Sequence, residues 1–246
     1  MGTDGLGDAG VEDPVGHPDC EPAAEALVRL ARASPGELTL VALAPLTTIA
    51  SALELDPHLP GRLHHMIVMG GAVRVGGNST AAAEANIGHD PLAAARVVAA
   101  FGATGALASG RRPCLVPLDV TLRSPLTLDE LRVLESSPVT GARLLFRVWT
   151  AIWPTGRLET GREGVWPAHD LLATWCALDP SVCEWVTAPL QVDTGGSAAW
   201  GATVVDLRAT ASQTAIGGDG ARWEIAMRVD ADRYRAAVRG WLSGSR

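Results

Sequence analysis

The stretch from Met66 to Ala94, MIVMGGAVRVGGNSTAAAEANIGHDPLAA, constrains the fold more than any other part of the chain. It opens on a short apolar run, Met66 to Met69, that stops at Gly70-Gly71. Such a run, with no polar alternation, fits a parallel strand covered on both faces, and the glycine pair marks its passage into a loop. That loop brings Asn78, Glu84 and Asn86 close together in sequence. Asp90-Pro91 then supplies a helix N-cap followed by proline at the first helical position. Strand, polar loop and helix in this order fit an α/β protein built on an open sheet. In such sheets ligands bind at the carboxyl ends of the strands. Two carboxamides beside a carboxylate suit a polyol.

The other segments fit the same architecture. Residues 21–33 form an amphipathic helix with Ala24, Leu27, Leu30 and Ala31 on its apolar positions. Glu37 to Leu43 is mostly apolar, as expected of a buried strand; it leads into Ala44-Pro45-Leu46-Thr47-Thr48 and a helix to Leu55, for which Thr47 is a candidate N-cap. A helix from Asp90 to Phe101 precedes a strand, Pro113 to Leu118, that ends at Asp119-Val120-Thr121. Residues 127–136 and 138–152 read as helices, with Leu131, Leu134, Leu144, Leu145 and Val148 spaced as core residues. Residues 154–167 are rich in Gly and Arg and read as a mobile connection flanked by Trp153 and Trp166. His169-Asp170 opens a helix over Leu171 to Ala177. Leu190 to Asp193, Thr203 to Leu207 and Glu224 to Val229 read as strands with turn signals between them, including Gly217-Gly218-Asp219-Gly220, and Ala231 to Leu242 as a closing helix.

Composition excludes several classes of function. A net charge of −7 argues against nucleic acid as a partner, since phosphate binding needs a basic face. All twenty basic residues are Arg and none is Lys, which reads as compositional bias. Mean hydropathy is +0.16, and no apolar run reaches the roughly 18 residues of a membrane helix, so a soluble protein is expected. Cys20, Cys114, Cys176 and Cys183 show no C-x-x-C pairing that would suggest zinc and read as buried or partly buried free thiols. No basic segment leads into an apolar signal core, which makes a cytoplasmic location the default. The 246 residues suffice for one large α/β domain spanning 1–246.

The order V-M-G-G, then G-N, then A-E-x-N-I, then D-P-x-A-A closely resembles the inosine-uridine-preferring nucleoside hydrolase family, which cleaves the N-glycosidic bond of ribonucleosides. The resemblance implies an α/β fold with a single open, mostly parallel sheet flanked by helices, and that Met69, Asn78, Glu84 and Asn86 hold the ribose. Ala44 to Thr48 is similar to the family's G-P-L-T-N turn, which implies a Thr47 carbonyl ligand to Ca2+. His169-Asp170 is similar to its H-D-P-L-A motif, with Leu171 in place of the proline. That makes His169 the acid that protonates the leaving base and Asp170 a calcium ligand. His89, in a second His-Asp pair, is expected to face solvent.

The beginning of the chain departs from the family pattern. Residues 1–20 contain no strand-like run. Asp4-Gly5-Leu6-Gly7-Asp8 fits the family's later H-G-x-x-G-L-G loop better than its calcium motif D-x-D-x-G-x-D-D, and Met1 then stands at the loop's histidine. On that alignment the N-terminal strand and its aspartates are missing, the calcium shell is incomplete and no general base is identified. A lost strand would also leave backbone groups unpaired, favouring instability unless another chain covers the gap. The expected partners are a small-molecule nucleoside and a homo-oligomer, with no nucleic acid and no membrane. A non-catalytic relative, serving as a sugar-binding or oligomer-forming subunit, is the alternative. A dinucleotide-binding enzyme is disfavoured because no strand leads into G-x-G-x-x-G.

Overall fold

Thr39–Ala42, His65–Met69 and Cys114–Val116 form three parallel strands, β1, β2 and β3, in register from Thr39 opposite His65 to Met69 opposite Val116. All five residues of β2 are buried, His65 together with the apolar run Met66 to Met69. The computed structural model describes residues 3, 6–11, 20–103, 105–152, 163–208 and 221–242. Contacts group the chain into two units, one of Cys20–Val120 with His169–Val229, the other of Met1–Asp19, Thr121–Ala168 and Asp230–Arg246. Among the described residues no helix is long and apolar enough to cross a membrane.

The first unit holds a six-stranded sheet. Two-residue strands β4 (Leu126–Thr127) and β5 (Val165–Trp166) belong to the other unit; β6 (Cys183–Val192), β7 (Thr203–Val205) and β8 (Arg222–Val229) complete the sheet in the order β1-β2-β3-β8-β6-β7. β8 is parallel to β3, whereas β6 runs antiparallel to both β8 and β7. β6 starts at Cys183, earlier than its sequence suggests. Its first half carries exposed Glu184, Val186 and Thr187 without a clean alternation, so only the last residues read as a strand. β1 departs in the opposite sense: it is an edge strand with Thr39 exposed and only Ala42 buried. Apolar composition reports that a strand forms, not that neighbours flank it on both sides.

Helices α1 (Ala23–Ala33), α2 (Thr47–Leu55), α3 (Leu59–Arg62), α4 (Ala85–Gly88) and α5 (Pro91–Gly102) connect these strands. α5 forms where Asp90 Oδ1 accepts the Ala93 N–H at 3.0 Å and Pro91 fixes the first helical position. It buries Ala93, Ala94, Val97, Val98 and Phe101, the spacing of one helical face. Trp223 of β8 is fully buried, and its indole N–H donates to the Val98 carbonyl at 3.1 Å. At the base of α1, Asp56 is 3% exposed and accepts from Arg32 Nε at 2.9 Å and Arg62 Nε at 2.8 Å. Burial alone would raise its carboxyl; the two guanidiniums and the His58 N–H outweigh that and hold it below the usual range.

His65 opens β2 at 4% exposure, with Nε2 3.2 Å from the Arg112 carbonyl. Burial, reinforced by the positive charge of Arg111, lowers its pKa to about 4. The unfolded chain therefore takes up a proton near pH 6.5 that the native protein refuses until about pH 4. The contribution of His65 to stability is full above pH 6.5 and should fall by roughly 3 kcal/mol as pH drops to about 4. Urea unfolding at stepped pH checks this, and His65→Gln should flatten the dependence in that window.

In the second unit Thr127 caps the one-turn helix Leu128–Leu131 through a reciprocal box with Glu130, and Leu131 and Leu134 are buried as their spacing implies. The helix Thr140–Ile152 contradicts the reading of its leucines as core. None of its residues is buried, and Leu144 and Leu145 are 37% and 43% exposed. Periodicity places apolar side chains on one face without stating that a second layer covers it. The closing helix spans Ala231–Leu242 and buries Tyr234 and Val238. Cys20 is exposed, contrary to expectation, while the other three thiols are buried. Trp153, Met1, Asp4, Gly5, the turn at Gly217 to Gly220 and residues 154–162 lie outside the described residues.

Candidate active site

The loop after β2 is held by its own backbone N–H groups, taken almost in sequence by different partners. Gly70 donates to the Val116 carbonyl at 3.3 Å and Gly71 to Glu84 Oε2 at 2.9 Å. Ala72 donates to Thr203 Oγ1 at 2.9 Å, and that hydroxyl donates back to the Ala72 carbonyl at 2.7 Å. Val73 and Arg74 donate to the two oxygens of Asp119, each at 2.8 Å. Glycine is required at position 71: φ is +82°, and an added Cβ would lie 2.8 Å from Thr203.

Glu84 is 2% exposed and caps the short helix α4. Its Oε1 accepts from the Asn86 N–H at 3.0 Å, and Oε2 accepts from Ile87 at 3.2 Å as well as from Gly71. A carboxylate has about four acceptor sites, so most of this one is committed to shaping the loop. Asn78 Oδ1 accepts from the Ala85 N–H at 2.9 Å. Asn86 Nδ2 donates to the Met69 carbonyl and approaches Met69 Sδ, both at 3.2 Å. The structure thus brings Met69, Asn78, Glu84 and Asn86 together. Two polar ends, Asn78 Nδ2 and Asn86 Oδ1, have no protein partner among the described residues. These are the only two asparagines in the chain.

His169 and Asp170 begin the helix His169–Leu178, which packs on β2 and β1. His169 is half-buried. The Asp170 side chain is open to solvent, yet protein atoms crowd it closely enough to raise its carboxyl above the usual range. The positive charge of His169 opposes that rise and the negative charge of Glu84 adds to it, so the helix start lies within electrostatic reach of the loop. Thr47 does not cap α2. The N-cap is Leu46, and the Thr47 hydroxyl instead donates to Asp90 Oδ2 at 2.6 Å, joining the starts of α2 and α5. His89 is exposed, with Nδ1 2.5 Å from the Ala85 carbonyl. Trp166 lies in β5, in the other unit.

Among the described residues the donors expected to hold calcium are few. Ca2+ takes roughly six to eight oxygens. Asp170 and the Thr47 carbonyl offer two, and no group of three or more His, Cys, Asp or Glu placed to hold a metal occurs among the described residues. Asp119 and Thr203 are positioning residues to which motif reading assigned no role. Asp119 had a signal, an acid just past the end of a strand, whereas the Thr203 contact spans 131 residues and leaves none. Asp119→Asn would turn one amide N–H toward a backbone N–H of Val73 or Arg74. It should cost about 1–3 kcal/mol, measured by denaturant unfolding, and loosen ligand binding at the loop.

A parallel β1-β2-β3 core with its polar site on the loop following β2 defines an open-sheet α/β protein of the ligand-binding type. The family model for inosine-uridine preferring nucleoside hydrolase matches residues 1–236, and the chain belongs to that family. A probable uridine nucleosidase 2 of Arabidopsis thaliana is 34% identical over 195 residues, covering 79% of this chain and 58% of that protein. The non-specific ribonucleoside hydrolase RihC of Salmonella schwarzengrund is 31% identical over 237 residues, 94% of this chain and 70% of that protein. The chain therefore spans between about three-fifths and seven-tenths of these relatives. Among solved structures, a plant nucleoside hydrolase aligns with a TM-score of 0.86 at 27% identity, over 98% of this chain and 73% of its own. The purine-preferring ribonucleoside hydrolase from Gardnerella vaginalis aligns at 0.83 and 26% identity, over 98% and 72%.

Proposed function

We propose that the Met69–Asn86 loop binds the ribose of a ribonucleoside and that the site serves hydrolysis of the N-glycosidic bond to free base and ribose. The observation that carries this reading is the pair of uncommitted carboxamide ends, Asn78 Nδ2 and Asn86 Oδ1, on a loop framed by a buried carboxylate. One donates and the other accepts, which matches hydroxyls that do both. Breaking the bond from C1′ to nitrogen leaves positive charge on the sugar and negative charge on the base. His169 is the proposed donor to the leaving base, a role an imidazole N–H can fill. Asp170 is the proposed metal ligand with the Thr47 carbonyl, and those two oxygens alone do not build a calcium site.

Binding without efficient turnover is therefore the expectation for the 246-residue chain. Uridine and inosine should bind in calorimetry, while release of ribose from either, or of nitrophenol from a nitrophenyl riboside, should stay near background with or without calcium. Robust calcium-dependent ribose release would contradict the ligand assignment, and absence of nucleoside binding would contradict the ribose loop. A cytoplasmic location and homo-oligomeric assembly belong to the same proposal, checked by cell fractionation and light scattering.

A further inference from the structure

Three thiols gather away from the ribose loop. Cys114, Cys176 and Cys183 are buried, and the Sγ atoms of Cys176 and Cys183 are 3.7 Å apart. That is sulfur–sulfur contact, about 1.7 Å longer than a disulfide bond. Cys176 lies in the second half of the helix His169–Leu178 and Cys183 is the first residue of β6, with the turn Pro180–Val182 between the two elements. Cys183 and Cys114 also line a hollow of about 480 Å³ together with His65, Arg111, Trp185 and Glu224. His65 is at the opposite end of β2 from Met69, so the hollow is separate from the loop.

The surroundings set the outcome of thiol chemistry here. Burial pushes the Cys114 thiol up to about 12, and contact with Cys183 together with burial raises that of Cys176. The thiolate forms of Cys114 and Cys176 are scarce as a result. Cys183, 8% exposed on the wall of the hollow, is where a small oxidant meets the pair. Once it is oxidised, the second sulfur is already in contact, so the sulfenic acid closes to a disulfide before it oxidises further.

We propose that Cys176 and Cys183 form a redox modification site that closes to an intramolecular disulfide under a hydroperoxide oxidant. The Cys183 sulfur attacks a peroxide oxygen, the O–O bond breaks, and water leaves as the sulfenic acid forms. The Cys176 sulfur then attacks the Cys183 sulfur; the S–O bond breaks and the hydroxyl leaves with the Cys176 proton as a second water. Two thiols lose two electrons and two protons, and one hydrogen peroxide is reduced to two waters. The bond ties to β6 the helix whose first turn carries His169 and Asp170.

The test uses the full chain carrying Cys20→Ser, which removes the exposed thiol. After incubation with hydrogen peroxide, thiols titrated in denaturant should fall from three to one. The protein should be two hydrogens lighter, peptide mapping should find a Cys176–Cys183 link, and dithiothreitol should restore the starting count. The melting temperature of the oxidised form should rise by about 5 °C, as expected for closing a short ring. Adding Cys114→Ser should leave closure intact. Three thiols persisting, a link through Cys114, or a lower melting temperature on closure would overturn the proposal.

Discussion

Glu84→Ala should destabilise the protein by about 3–5 kcal/mol, because it strands the N–H groups of Gly71, Asn86 and Ile87 without an acceptor. The largest part arises at Gly71 and Ile87, whose bonds are buried and reached by no solvent. Loss of the same carboxylate removes the N-cap of α4 and frees the segment that presents Asn86. Uridine affinity should therefore fall by at least about 100-fold, near 2.7 kcal/mol. Glu84→Gln separates the two effects. It keeps the shape and one oxygen but points an amide N–H at a backbone N–H, so it should cost about half as much stability while still weakening binding. Urea denaturation with calorimetry on both variants measures each part.

Gly77→Ala should be nearly as severe for a different reason. An added Cβ would sit 2.2 Å from the Ala83 carbonyl oxygen, 2.4 Å from its carbon and 2.6 Å from the Ala83 nitrogen. All three are backbone atoms, so no rotamer change relieves the clash and the chain itself must move. The turn that has to open is held by the Gly77 N–H to the Ala81 carbonyl at 3.2 Å and the Ser79 N–H to the Ala83 carbonyl at 3.1 Å. Asn78 lies between those bonds. The expected result is about 2–4 kcal/mol of lost stability and uridine binding reduced to background, with faster amide exchange confined to residues 77–88. Exchange that accelerated across β2 and β3 as well would show the loop to be part of the sheet's cooperative unit.

Much of this site was legible because its members are local. Met69, Asn78, Glu84 and Asn86 fall within one strand, loop and helix start, where spacing and capping chemistry constrain the geometry. Contacts made across the sheet left no such trace: Thr203 reaches Ala72 from 131 residues away, and Thr47 turned out to serve Asp90 rather than its own helix. The mostly parallel sheet was readable from apolar runs, but its edges were not. β1 has a covered strand's composition and an edge strand's position, and Leu144 and Leu145 have a core helix's spacing with open surface around them. Neither failure concerns local propensity. Both concern what lies next to an element, which one element's pattern does not contain.

The most direct test of the ribose loop uses the fact that Asn78 and Asn86 are the chain's only asparagines. Labelling with ¹⁵N-asparagine leaves just their side-chain and backbone amides visible by NMR. Saturation with uridine should move both side-chain amide pairs, and free uracil should move neither. Uridine bound by calorimetry with both pairs unmoved would place the ligand elsewhere and contradict the assignment.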